Sequence, residues 1–159
     1  MSRWHNLYLD AHAHLVTATV RSWRPLLKGE AVEVLYREWS AARARLCVRL
    51  LAYVVMPEHF HAILWAETGT SVRTFLQQTL SLSARAYQHG GRFWKERPRV
   101  LPIYSDKVLQ TKVDYLHANP VRRELVAAPA DWPDSSFRQL VSGETDVPFL
   151  CDESQLVGV

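Results

Sequence analysis

The sequence predicts an α+β domain: a ferredoxin-like split βαββαβ sandwich with an antiparallel sheet and an additional C-terminal helix. Three observations predict it. Apolar, β-branched runs alternate with segments of helical period in the order β-α-β-β-α-β-α. Only Met56-Pro57-Glu58 separates the two middle strands, which makes them a hairpin. No internal repeat or low-complexity tract competes with a single sheet.

The first strand lies within Leu7 to Val20, around the β-branched run Leu15-Val16-Thr17-Ala18-Thr19-Val20. Arg24-Pro25 and Gly29 break it, and Val32, Leu35, Tyr36, Trp39 and Leu46 then recur at helical spacing. Cys47 to Val55 is almost continuously apolar and reads as a buried strand; His59 to Ala66 is its returning partner. Gly69 and Ser71 precede a second helix with Val72, Phe75, Leu76, Thr79 and Tyr87 on one face, ended by Gly90-Gly91. Val100 to Tyr104 is a short fourth strand. Asp106 is expected to N-cap a third helix carrying Val108, Leu109, Val113 and Leu116, stopped at Asn119-Pro120. From Ala127 onward, Pro129, Pro133 and Pro148 among scattered acids read as a loop-rich tail.

At 159 residues the chain is one domain long, and 48% hydrophobic with 22% charged residues is a globular composition. No apolar run approaches the ~18 residues of a membrane span, and the first residues lack a secretory apolar core. Two cysteines, Cys47 and Cys151, make neither a disulfide framework nor a zinc site. The expectation is a soluble, cytoplasmic protein with no membrane partner. The net charge of +3 conceals an asymmetry: residues 1–123 hold 18 of the 19 Lys and Arg and nine of the 16 acids. Residues 124–159 hold one arginine against seven acids. A basic body attracts polyanions, nucleic acid foremost, although solvated surface charge gives the same balance.

The most informative residues are His59-Phe60-His61. On a strand the two imidazoles share a face while Phe60 anchors the other, which makes a ready pair of metal ligands or two polar residues on an exposed face. His12-Ala13-His14 matches the same short pattern without neighbours that complete a site. Tyr115 and Asn119 stand one helical turn apart, with Lys112 a turn earlier. A metal held by His59, His61 and a third oxygen ligand polarises a phosphodiester, and a tyrosine beside it is a nucleophile for phosphorus. The neutral amide oxygen of Asn119 suits a hard ion such as Mg2+ or Mn2+.

Tyr53-Val54-Val55-Met56-Pro57-Glu58-His59-Phe60-His61-Ala62-Ile63-Leu64 resembles the His-hydrophobic-His segment of single-tyrosine HUH transposases. Tyr115-Leu116-His117-Ala118-Asn119-Pro120-Val121-Arg122 is similar to the signature of their REP-associated branch, as are Phe93-Trp94-Lys95 and Asp131-Trp132-Pro133-Asp134-Ser135-Ser136. The likeness runs from about Val16 to Phe137, in the family's order and spacing. It implies Tyr115 as the nucleophile that forms a 5′-phosphotyrosine link and releases a 3′-hydroxyl, His59 and His61 as ligands to a divalent ion, and Asn119 as the third. It implies single-stranded DNA beside a REP-like palindromic hairpin as substrate, and a monomer, with a homodimer as the alternative. Residues 1–126 are then the catalytic, single-stranded-DNA-binding domain, and 127–159 an acidic tail packed on or beside it.

The chain departs from the family's pattern at Lys95 to Ile103 and at Glu58, expected here as a surface carboxylate rather than a group supporting His59. Arg92, Lys95, Arg97, Arg99, Lys107, Lys112, Arg122 and Arg123 crowd one 32-residue stretch and are the candidate DNA contacts. Phe93, Trp94 and Tyr104 interleave aromatic surface suited to stacking bases; Phe93 and Trp94 read alternatively as core anchors under a loop, the reading that leads for Trp94. The tail either solubilises or folds back over the basic groove. Three other functions fit parts of this pattern: a catalytically silent DNA-binding regulator of the same fold, an RNA-binding ferredoxin-like module, and a hydrolytic metalloenzyme built on His12, His14, His59 and His61.

Overall fold

The computed structural model describes residues 5–87, 92–95 and 97–152. In chain order they form β1 (His12–Thr19), a 3-10 turn (Arg21–Trp23), α1 (Glu30–Leu46), β2 (Arg49–Met56), β3 (His59–Ala66), α2 (Gly69–Ala86), β4 (Arg99–Ile103), α3 (Asp106–Arg122), a second 3-10 turn (Pro129–Asp131) and α4 (Phe137–Ser142). The sheet order is β2-β3-β1-β4 with every neighbouring pair antiparallel, the split βαββαβ arrangement.

Strand alternation sorts side chains onto two buried faces. On one, Val16, Ala18, Val55, Phe60 and Leu64 meet Leu35 and Trp39 of α1 and Phe75 and Leu76 of α2. On the other, Leu15, Val54, Ile63 and Ile103 meet Val113 and Leu116 of α3. A sheet covered on both sides explains why β2 and β3 read as near-continuous apolar runs. A register irregularity between Leu50 and Ala52 sends Leu50 to the first core and Leu51 with Ala52 to the second.

The tail covers the outer edge of β2. Val55 N–H donates to Asp134 O (2.8 Å), Ser136 N–H to Tyr53 O (3.0 Å) and Asp152 N–H to Leu50 O (2.8 Å). Phe149 stacks on Tyr36 with ring centroids 4.6 Å apart. The expected loop-rich tail thus carries a 3-10 turn and α4. Its described part lies on the sheet edge opposite β4, not over the basic stretch leading into that strand.

Two helix boundaries differ from expectation. Ser105, not Asp106, caps α3: its Oγ accepts from Val108 N–H at 3.2 Å, and Asp106 is the first helical residue. The helix also runs through Pro120 to Arg122. Proline there withholds one bond near the helix end, its fixed φ is helical, and Arg123 N–H still reaches Asn119 O at 3.0 Å. The Gly90-Gly91 stop for α2 lies outside the described residues. Phe93 and Trp94 are buried in the first core, Trp94 Nε1–H donating to Ser83 Oγ (3.1 Å), so neither is a free stacking surface for bases. Tyr104 is 68% exposed.

Candidate active site

His59 and His61 open β3 on the face that α3 covers, and their rings meet edge to face with centroids 4.8 Å apart. Cross-strand pairing sets Thr19 opposite His59 and Thr17 opposite His61. The Thr17 hydroxyl lies 2.8 Å from His61 Nδ1, which fixes the ring and leaves Nε2 as its second nitrogen. Tyr115 comes from α3: its ring centroid is 5.7 Å from that of His61, and the residue is 41% exposed. A buried histidine pair and an accessible phenol therefore adjoin, supplied by two elements that the sheet-to-helix packing brings together. The Arg122 guanidinium lies over the Tyr115 ring, 5.0 Å from its centroid. Asn119 is buried one turn beyond Tyr115, and Lys112 is half-buried on the preceding turn. His117 points elsewhere and is fixed to Ser136 Oγ at 2.8 Å.

Glu58 corrects the sequence expectation. It is 6% exposed, ion-paired with Arg123 at the end of α3, and its Oε1 lies 3.3 Å from His59 Nδ1. The last approach lacks hydrogen-bond geometry, so among the described residues His59 Nδ1 is buried without a hydrogen-bond partner. Trp23, in a left-handed backbone conformation (φ 55°), closes over His59 with ring centroids 5.6 Å apart.

Burial lowers the His61 pKa to about 3, with the neighbouring His59 pushing the same way. Burial also lowers that of His59; Glu58 opposes this and Arg123 adds to it. Both imidazoles are neutral at neutral pH, the form that ligates metals. Neutral adjoining rings, one held by a threonine hydroxyl and one with an unpartnered buried nitrogen, fit a divalent cation. Among the described residues no group of three His, Cys, Asp or Glu side chains is placed to hold a metal.

The basic residues divide into groups. Arg122 and Arg123 flank the tyrosine and Glu58. Arg92 and Lys95 line, with Arg21 and Trp94, a cleft of about 440 Å³. The backbone ties that segment to the end of β1 beside His59, through Arg21 N–H to Phe93 O and Lys95 N–H to Thr19 O, both 2.8 Å. Arg99 pairs with Thr17 across β1 and β4, and Arg97 and Arg99 border a separate cleft. Lys107 is exposed near the start of α3, about 12 Å along the helix from Tyr115 at 1.5 Å per residue. The structure does not assemble the four-histidine site. His14 pairs with Leu64, whose side chain belongs to the first core, and its Nε2 accepts from Leu9 N–H at 2.9 Å.

The fold and this constellation place a helix-borne tyrosine beside a strand-borne histidine pair. Comparison adds to this. The chain is 25% identical over 147 residues to the REP-associated tyrosine transposase of Escherichia coli (strain K12), covering 89% of this chain and 86% of that one. It is 27% identical over 113 residues to a Haemophilus influenzae protein provisionally given the same name, covering 59% and 61%. The fold matches a solved REP-associated tyrosine transposase bound to a REP hairpin, with a TM-score of 0.82 over 100% of this chain and 95% of that one, at 23% identity. No protein-family model matches. The resemblance to REP-associated tyrosine transposases thus extends across nearly the whole chain in sequence and across all of it in fold.

Proposed function

We propose that this chain cleaves and rejoins single-stranded DNA beside a palindromic hairpin, with Tyr115 as nucleophile and a divalent cation, Mg2+ or Mn2+, held by His59, His61 and Asn119. The observation that carries the proposal is the accessible Tyr115 phenol against the buried, neutral His59–His61 pair. The names of the relatives, which are transposases, support the same reading.

The Tyr115 oxygen attacks the phosphorus of a phosphodiester. The new bond joins the tyrosine to the 5′ side of the break, the phosphorus–O3′ bond opens, and the 3′ oxygen leaves with a proton as a hydroxyl. The reverse attack by a 3′-hydroxyl restores a phosphodiester and frees the tyrosine. When bound, the cation polarises the phosphate and stabilises charge on its oxygens. The chain's own part is orientation and charge. Thr17 holds the His61 ring, Glu58 and Arg123 tie the histidine strand to the nucleophile's helix, and Arg122 sets positive charge over the attacking ring. Arg92, Lys95, Arg97, Arg99, Lys107, Lys112, Arg122 and Arg123 bind the phosphate backbone.

The test is a denaturing gel of protein incubated with Mn2+ and a panel of hairpin oligonucleotides carrying single-stranded flanks. Wild type is expected to give a covalent protein–DNA band that Tyr115→Phe and His59→Ala/His61→Ala both lack. DNA bound but never cut, across the whole panel, contradicts the enzymatic reading and favours a binding-only regulator.

A further inference from the structure

Glu58 stands between His59 and Arg123 and is buried, although it occupies a hairpin turn, where a carboxylate is ordinarily solvated. We propose that Glu58 is a positioning residue with two attachments, a role that rests on the function proposed above. It holds the His59 ring as a cation ligand and, through Arg123, holds the helix of Tyr115 over that ligand. Three observations carry it.

The first is the backbone. Val20 N–H donates to Glu58 O (2.8 Å) and Leu27 N–H to Pro57 O (2.9 Å), so two other segments pin the turn. With its peptide held from both sides, Glu58 sends its side chain inward instead of to water. The second is a pair of facing atoms. Glu58 Oε1 lies 3.3 Å from His59 Nδ1, and among the described residues neither atom has a hydrogen-bond partner. The approach needs a change of angle more than of distance to become a hydrogen bond. Thr19 is opposite His59 across the β1–β3 ladder, yet it does not engage Nδ1 as Thr17 engages that of His61. A carboxylate takes that place. Each ring is then held through Nδ1, and each leaves Nε2 for a cation. The third is Arg123. It caps the C-terminal end of α3, its N–H donating to Asn119 O (3.0 Å), and its guanidinium pairs with the Glu58 oxygen that faces His59. Asn119 and Tyr115 lie one and two turns back along the same helix. A buried carboxylate requires a compensating charge, and here the element that carries the nucleophile supplies it. The group that orients His59 is therefore the group that anchors the end of α3.

The experiment measures Mn2+ affinity by titration calorimetry without DNA, and the single-turnover rate of covalent adduct formation at saturating Mn2+ on the hairpin panel. Glu58→Ala is expected to weaken Mn2+ binding about 10- to 100-fold, the usual consequence of losing the group behind a ligating histidine. Glu58→Gln keeps an amide oxygen for Nδ1–H and is expected to recover Mn2+ affinity to within about threefold of wild type. It lacks the ion pair, so adduct forms about tenfold more slowly, as it does in Arg123→Gln. The double variant Glu58→Gln/Arg123→Gln is expected to be no slower than the slower single one, because the two residues act as a unit. A thermal melt verifies folding, and Glu58→Gln with Arg123→Gln carries the test if Glu58→Ala does not fold. Unchanged Mn2+ affinity in Glu58→Ala, or a Glu58→Gln as weak as Glu58→Ala, overturns the hold on His59. Rate losses that multiply in the double variant overturn the coupling to α3. A wild type that forms no adduct anywhere on the panel overturns the function proposed above, and the Mn2+ comparison still decides the role of Glu58 at His59.

Discussion

His61 is neutral because it is buried, and a neutral ring held through Nδ1 by Thr17 presents its other nitrogen in one direction. Thr17→Val removes that hold without changing side-chain volume greatly. It is expected to weaken Mn2+ binding 10- to 100-fold by calorimetry while the melting temperature shifts by only a few degrees. Unchanged Mn2+ affinity would remove Thr17 from the account. The His-x-His pair was legible in the sequence because strand alternation alone puts His59 and His61 on one side. Thr17 was not: its role depends on the β1–β3 register, which no local pattern encodes. Glu58 was misread for a related reason. Its neighbours in sequence suggest an exposed turn, whereas Arg123, 65 positions away, supplies the charge that lets a carboxylate be buried.

At the scale of elements, α3 determines where the nucleophile stands. Leu116, fully buried next to Tyr115, joins the second core with Val113, Ile63 and Val54 and seats the helix on the sheet. Leu116→Ala is expected to cost about 2–5 kcal/mol by chemical denaturation, and to slow adduct formation in the fraction that remains folded. Full cleavage activity despite that cost would show that the helix's seating is not needed for alignment. Every element of the sheet and the three long helices was legible from periodicity. One boundary and one aromatic segment were not. Proline signals helix interruption in general, but at Pro120 the turn is nearly the last, so one lost bond is tolerated. Phe93-Trp94 has the composition of a nucleic-acid surface as well as of a core anchor, and the burial of both residues, with Trp94 bridged to Val20, decides for the core.

For the whole molecule, buried neutral histidines tie stability to pH. Burial lowers His117 to about 4 and His61 to about 3, below the ordinary value near 6.5. The unfolded chain therefore takes up these protons first. The stability that the two neutral rings contribute is complete above about pH 6.5 and is lost progressively as pH falls toward 4 and then 3. Asp134, raised by burial, acts in the opposite sense on the acid side. Urea denaturation of the metal-free protein should show unfolding free energy falling from pH 7 to pH 4. His117→Gln should flatten that limb; a limb equally steep in the variant would contradict the assignment. The same architecture separates charge. The described part of the acidic tail follows β2 at one edge of the sheet, and the segment entering β4 at the other edge carries Arg97 and Arg99.

The most direct test of the central claim is mass spectrometry of the covalent product formed with Mn2+ and a cleavable hairpin, after nuclease and trypsin digestion. The account predicts the nucleotide mass on the peptide spanning residues 113–122, with fragmentation assigning it to Tyr115. A nucleotide on any other residue, or a cleaved DNA with no protein adduct, would contradict it.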